Sequence, residues 1–370
     1  MFKCQRMFGP IGYFTRTGHV LPYLVAIQGV RVATLKDVAA LAGVGMSTAS
    51  RAISGAGPVS ADALRRVSAA VEQLNFRPSS IGRSLSAQSL GMIGIFAPTF
   101  FGAYYGTILK QTDVELRALR RHVVVATGCG PLPPREEAIE AVKFLIGRDC
   151  DGIVVLGHDL RDDDVAMLHE LHPRIAFLNR AHPALPDSSF CPDHRAGGAL
   201  AARTLLQHGH RRIAVIAGPH GATDNAARLQ GFFAELAMAG IAAGAVQRID
   251  ADFSREGGFA SAEALLAAGR PFTALFCAND EMAVGALACL HRHGVRVPGE
   301  VSVIGYDDDY SAAFTAPGLT SIHIPIRELT QNAVRWLANQ CYGTSYPIVR
   351  EFPATVTMRD SVGPAATTAA

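Results

Sequence analysis

Polar side chains able to hold a small ligand sit at the ends of three apolar runs. Asn279 and Asp280 close TALFCAND, Asp307 closes VSVIGYD, and Asn179 with Arg180 closes RIAFLNR. A carboxylate in such a place accepts hydrogen bonds from a ligand, while asparagine and arginine donate them. A second chemistry is offered by TLKDVAALAGVGMSTASRAIS at 34–54. There Ala39 lets two helices approach, Gly43 permits a positive-φ turn and Ala49 packs inward, the pattern of a helix-turn-helix. An ordinary amphipathic helix pair satisfies the same spacing. Other chemistry is thin. His208/His210 and His291/His293 alternate, diverge on a helix and read as surface histidines. HELH at 169–172 lacks the i, i+4 spacing of a zinc site. Neither a Gly-x-Gly-x-x-Gly, a phosphate loop nor a Gly-x-Ser-x-Gly occurs.

The elements that must position these residues follow from the hydrophobic pattern. Runs rich in Val and Ile recur at 92–97, 122–126, 152–156 and 174–179, then at 212–217, 245–250, 273–278 and 301–306. Helix-length amphipathic segments separate them, which is the rhythm of βαβ units and of parallel sheets covered on both faces. The wider, Pro-rich gap at 180–211 divides the strands into two halves of four. Two doubly wound lobes leave a cleft lined by the carboxyl ends of strands, the ligand site of open α/β sheets. Between Thr34 and Leu74 the pattern changes to three short helices. Val38, Ala39 and Leu41 share a side of the first, which stops at Gly43. The second runs from Met46 to Ile53. The third follows Ser60 as N-cap, with Leu64, Val67, Val71 and Leu74 at helical spacing.

Length and charge agree with this division. A chain of 370 residues accommodates two or three domains, and 49 % hydrophobic residues exclude general disorder. The formal charge of +2 conceals an asymmetry. Residues 1–91 hold 10 Lys/Arg against 3 Asp/Glu, a net of +7, and residues 92–370 hold 24 against 29, a net of −5. A basic head on an acidic body is suited to meeting a polyanion. Seven scattered cysteines without Cys-x-x-Cys spacing support neither a disulfide framework nor a structural zinc, and a reducing cytoplasm suits them. No apolar run is long enough to span a bilayer. The apolar stretch at 20–30 leads into the basic segment without a cleavage site, so residues 1–31 read as an irregular extension.

The full stretch VATLKDVAALAGVGMSTASRAISGAGPVSADALRRVSAAVEQLNFRPSSIGRSL strongly resembles the head of the lactose/galactose repressor family of bacterial transcriptional regulators. The resemblance continues through GHRRIAVIAGP, FCANDEMAVGAL and GVRVPGEVSVIGYDD and covers residues 32–360. TFFGAYYGTILKQ, IAFLNR and TDNAARLQGFF point to its galactose-repressor branch. It implies an N-terminal all-α helix-turn-helix head plus an α/β body of two doubly wound parallel-sheet lobes, periplasmic-binding-protein-like. By the family's pattern Met46, Ser47 and Arg51 read bases, Arg51 through guanine O6/N7. Thr34, Thr48, Ser50 and Arg77 then touch phosphates or cap helices, and Arg83 joins the DNA-binding set. Leu85, in the hinge segment SSIGRSLS, wedges into the minor groove. Two head positions depart from the pattern, Gly45 for a capping Ser and Ala49 for a branched aliphatic; in the hinge Gly82 replaces Ala. For the body the resemblance implies effector contacts from Asp193, Arg228, Asn279 and Asp307, with Phe253 against a sugar ring. Thr99, Phe100 and Phe101 come from the first lobe. Asp280 caps the next helix, and Asp308 and Asp309 are solvated.

The domains expected are an extension at 1–31, the helix-turn-helix at 32–76 and a hinge at 77–91. One lobe takes 92–189 and 322–351, the other 190–321 and 352–360, and a tail takes 361–370. The function expected is a sequence-specific DNA-binding regulator, a cytoplasmic homodimeric repressor on double-stranded operator DNA, controlled by a sugar such as a hexose. Neither cofactor, metal, enzymatic activity nor membrane is expected. The alternatives are a sugar-binding transport protein, which needs no basic head, and a sugar-acting α/β enzyme, which needs a nucleophile, metal or phosphate loop.

Overall fold

The computed structural model describes residues 33–55, 57–76, 89–269 and 271–365. The expectations for the extension at 1–31, for Arg77, Gly82, Arg83 and Leu85, and for the last five residues lie outside them. The chain divides into two compact units, Met1–Arg83 and Ser84–Ala370, each taken by itself below.

The first unit holds α1 (Leu35–Ala42), α2 (Met46–Ser54) and α3 (Ala61–Gln73). Thr34 and Asp37 form a capping box: the Asp37 amide donates to the Thr34 hydroxyl and the Thr34 amide to the Asp37 carboxylate. Gly43 ends α1 in the left-handed region at φ 63°, open to glycine at no steric cost, and Arg66 on α3 donates to the Ala42 carbonyl at 3.1 Å. α2 starts at Gly45 without a side-chain cap, and α3 starts at Ser60, whose hydroxyl accepts from the Ala63 amide. Val38, Ala39, Ala42, Ala49, Val67 and Ala70 form the core. Leu41 and Leu64 are exposed instead of buried. The i, i+4 row Val38–Ala42 and the i, i+4, i+7 row Ala63–Val67–Ala70 face inward, which turns both leucines out.

The second unit has two sheets. Lobe one orders its strands β2-β1-β3-β4-β5: β1 (Met92–Ala97), β2 (His122–Thr127), β3 (Gly152–Val155), β4 (Ile175–Leu178) and β5 (Ser189–Phe190), all parallel. α4 (Ala103–Ala118) and α11 (Ile326–Tyr342) supply the apolar layer on one face, α5 (Pro134–Gly147) and α6 (Asp162–Leu171) that on the other. Lobe two orders its strands β11-β10-β9-β8-β6-β7: β6 (Ile213–Ala217), β7 (Gln247–Asp250), β8 (Ala274–Cys277), β9 (Ser302–Asp307), β10 (Thr320–His323) and an antiparallel edge strand β11 (Thr355–Thr357). α7 (His194–Gln207) and α8 (Thr223–Met238) cover one face, α9 (Arg255–Ala267) and α10 (Asp280–Arg292) the other.

The expected four-plus-four division is therefore five plus six, with β5, β10 and β11 added. Because β10 belongs to lobe two through His323, the return to lobe one falls just beyond it, at Pro325 before α11. In both lobes the order reverses beside the first strand, at β1 and β6, so the loops after these strands open into the cleft. Gly91 and the start of β1 are fixed by Asp151, whose carboxylate accepts from the Ser89 hydroxyl, the Leu90 and Met92 amides and the Tyr342 hydroxyl.

Candidate functional site

On the head, Met46, Ser47, Ser50 and Arg51 are exposed, Thr48 is half-buried and Ala49 is buried. The pairs Met46/Ser50 and Ser47/Arg51 stand one turn apart, so the four share the open face of α2. The Arg51 Nε donates to the Ser47 carbonyl at 3.2 Å, aligning its side chain along the helix.

The body's cleft has a volume of about 850 Å³. Its floor is organised by Arg228, which is 2 % exposed and whose helix α8 places Asp224 one turn earlier on the same face. The guanidinium donates to Asp224 Oδ2 at 2.8 Å, to the Ala278 carbonyl at 2.5 Å and to His194 Nδ1 at 3.4 Å. It lies 4.2 Å over the Tyr306 ring. Burial pushes the His194 imidazole down to about 3, with Arg228 adding to the shift, so it is neutral. Its Nε2 donates to Asn179 Oδ1 at 2.8 Å, leaving Nδ1 to accept from Tyr306 and Arg228. Asn179 in turn donates to Asp224 Oδ2 at 3.1 Å, and this bond joins lobe one to lobe two.

Asp307, at the end of β9, stands 3.8 Å from Arg228, too far for a hydrogen bond. Burial pushes its carboxyl up to about 8 against the pull of Arg228. Burial pulls the Asp224 carboxyl up as well, but Arg228, His194, His158 and the Asn225 amide together outweigh it and hold that carboxyl below the usual range. Each carboxylate keeps one buried oxygen without a hydrogen-bond partner, Asp224 Oδ1 and Asp307 Oδ1, and so does the Tyr104 hydroxyl. All three residues line the cleft. Buried unpaired acceptors cost about 1–3 kcal/mol each until something donates to them.

Phe253 lies 5.8 Å from the guanidinium and edge-on to His158, held in the left-handed region at φ 66°. Asn279 explains how: its Oδ1 caps α10 through the Met282 amide, and its Nδ2 donates to the Phe253 carbonyl. Asn279 thus reaches the cleft chiefly as the support of Phe253. Thr99 and Phe101 line the cleft, Phe101 at 84 % exposure, whereas Phe100 does not.

Asp193 is a correction. It is exposed, caps α7 by accepting from the Ala196 amide at 2.9 Å, and does not line the cleft. Its neighbour His194 points inward instead, and Asp224 supplies the carboxylate. The i, i+4 spacing of Asp224 and Arg228 in TDNAAR was the signal available in the sequence. Arg180 is buried against Asp162 and the Leu160 carbonyl, away from the cleft. Asn279, not Asp280, caps α10; Asp280 is buried and accepts from the Ser321 hydroxyl and the Asp309 amide. Asp308 is paired with Arg359 and His323, and His210 is buried on Thr273 and Gly363. Among the described residues no three His, Cys, Asp or Glu side chains are placed to hold a metal. No described helix is long and apolar enough to cross a membrane.

A three-helix head presenting the N-terminal half of its second helix, and a two-lobed body enclosing a polar cleft, define a DNA-reading regulator with a ligand sensor. The family model "Bacterial regulatory proteins, lacI family" matches residues 34–79, and the periplasmic binding protein-like domain model matches residues 202–362. The chain is 32 % identical over 332 residues to the transcriptional regulator GalR of Escherichia coli, covering 90 % of this chain and 96 % of that one. A crystal structure of a LacI-family regulator from Burkholderia phymatum is 67 % identical, with TM-score 0.73, over 74 % of this chain and 99 % of that one. The lac repressor dimer bound to operator and an anti-inducer is 28 % identical, with TM-score 0.77, over 90 % and 99 %. The chain belongs to the lacI family of bacterial regulatory proteins. It is a DNA-binding transcriptional regulator of the repressor type, and its relatives are regulators, not enzymes.

Proposed function

We propose that the protein is a sugar-responsive repressor that acts without catalysis, as a cytoplasmic homodimer on a pseudo-palindromic operator. The observation that carries the sugar reading is the pair of buried, unpartnered oxygens on Asp224 and Asp307 beside an Arg228 with N–H groups to spare. Two acceptors and a donor fit the paired hydroxyls and ring oxygen of a sugar, and Phe253 offers a face to its C–H groups. Thr99 and Phe101 complete the wall from lobe one. On the head, Met46, Ser47 and Arg51 face base edges, Thr48 and Ser50 face phosphates, and Leu85 is the minor-groove wedge. The dimer and the operator are supported by the kinship with the lac repressor, whose structure has both. The test is a thermal-shift screen over neutral sugars, each hit then titrated against operator DNA. A hit that raises the melting temperature and changes operator affinity at least fivefold is expected. A full panel that leaves operator affinity unchanged would sink the reading.

A further inference from the structure

α4 has Gly102 as its N-cap, with no side-chain cap, and Gly102, Tyr104 and Tyr105 at its start line the cleft. A helix start facing a ligand cavity attracts anions, because its first amides are free and its dipole favours negative charge. Here the position is already taken. Glu281, on the first turn of α10 in lobe two, accepts from the Ala103 amide at 3.2 Å across the cleft. The same carboxylate is paired with Arg255 through both its oxygens. Gly102, at φ 94°, brings the helix start within van der Waals reach of it: a Cβ there would lie 3.5 Å from Glu281 Oε1.

The remaining charges point the same way. Among the described residues, six acidic side chains line the cleft, Asp159, Asp224, Asp252, Glu256, Glu281 and Asp307, against two guanidiniums. Both guanidiniums are paired, Arg228 with Asp224 and Arg255 with Glu281. The buried unpartnered oxygen of Asp224, a carboxylate held in its ionised form, requires a donor and repels an anion.

Building on the sugar reading, we propose that Glu281 is a specificity residue: a built-in anion that fills the seat at the start of α4 and restricts the effector to uncharged sugars. Phosphorylated sugars and sugar acids are excluded because their charge would meet Glu281 instead of free amides and a free Arg255.

The test titrates the full-length protein by calorimetry with inorganic phosphate, and with galactose and glucose beside galactose 1-phosphate and glucose 6-phosphate. Wild type is expected to ignore phosphate and to bind each phosphorylated sugar at least tenfold more weakly than its neutral parent. Glu281→Gln keeps an acceptor for the Ala103 amide but removes the charge and releases Arg255. It is expected to bind inorganic phosphate, and to bind the phosphorylated sugars at least tenfold more tightly than wild type does. Glu281→Ala serves where the glutamine variant fails to fold. Wild type binding a phosphorylated sugar as well as its neutral parent would overturn the proposal. So would folded variants that gain no phosphate binding. Neutral sugars failing to bind while the variants gain phosphate would uphold the anion seat and overturn the sugar reading instead.

Discussion

A single carboxyl shows how the site's chemistry reaches solution behaviour. Asp307 titrates near 8 in the folded chain because burial penalises its charge more than Arg228 favours it. In the unfolded chain an aspartate titrates near 4. Between those values the folded state holds a proton that the unfolded state has lost, so Asp307's contribution to stability falls as pH rises through that window. A sugar hydroxyl donating to Oδ1 favours the ionised carboxylate, so binding expels the proton. Affinity for the sugar found in the screen is expected to rise by up to about tenfold per pH unit from 6 towards 8 and then to level off. Calorimetry at pH 6, 7, 8 and 9 measures it. Asp307→Asn should bind more weakly and lose the slope. His194 does not contribute in this range, since its imidazole titrates at about 3. A slope that survives in the asparagine variant would assign the proton to another group.

Elements hold these residues through a few tight backbone approaches. The loop after β6 passes beneath Phe253 at Gly218, where a Cβ would stand 2.2 Å from the aromatic ring. Gly218→Ala must therefore displace the ring, weakening sugar binding at least tenfold and destabilising the body by about 1–3 kcal/mol, as overpacking does. Gly221→Ala, on the same loop with nothing within 4 Å of its Cβ, is the control and should bind as wild type does. Binding by Gly218→Ala equal to the control's would mean that the ring is no part of the wall. The sequence carried much of this framework. The eight runs each became a strand: those inside the sheets are apolar throughout because a parallel strand buried on both faces needs an unbroken apolar stretch, whereas the edge strand β7 (QRID) alternates half-buried and exposed residues. β5 and β11, two and three residues long, are too short to show a period, and β10 (TSIH) is mostly polar because Ser321 serves Asp280 and Thr320 meets Ser361 and Arg359. Within the site, Arg228 and Asp307 were legible as strand-end or family-patterned charges. Asp193 misled because a helix-capping aspartate and a ligand-binding one look alike in sequence, and only the turn of α7 decides which of Asp193 and His194 faces inward.

At the scale of the molecule, charge bears on the proposed dimer, in which two heads would share the binding. Residues 32–91 hold six Lys/Arg against three Asp/Glu, a net of +3, so one head neutralises few phosphates and releases few counterions. In the proposed dimer, operator affinity then depends on two heads engaging together, and whatever alters their separation alters affinity. The body offers the means, because Asn179 to Asp224 and Glu281 to Ala103 bridge the lobes directly at the ligand cleft. Asp151 ties the segment from Ser89 to Met92, which leads out of the hinge, to α11 through Tyr342. A ligand that favours one lobe arrangement therefore biases the start of the body. Such coupling is typically about 1–3 kcal/mol, or about 5–150-fold in affinity, and it is reciprocal. The factor by which the sugar changes operator affinity should equal the factor by which operator changes sugar affinity. Anisotropy with labelled operator, with and without saturating sugar, gives the first at a fixed salt concentration. Calorimetry of sugar into the free protein and into the operator complex gives the second. Equal factors of fivefold or more would establish the linkage in this chain. A sugar that binds free protein and complex equally would separate the cleft from DNA control, however tightly it bound.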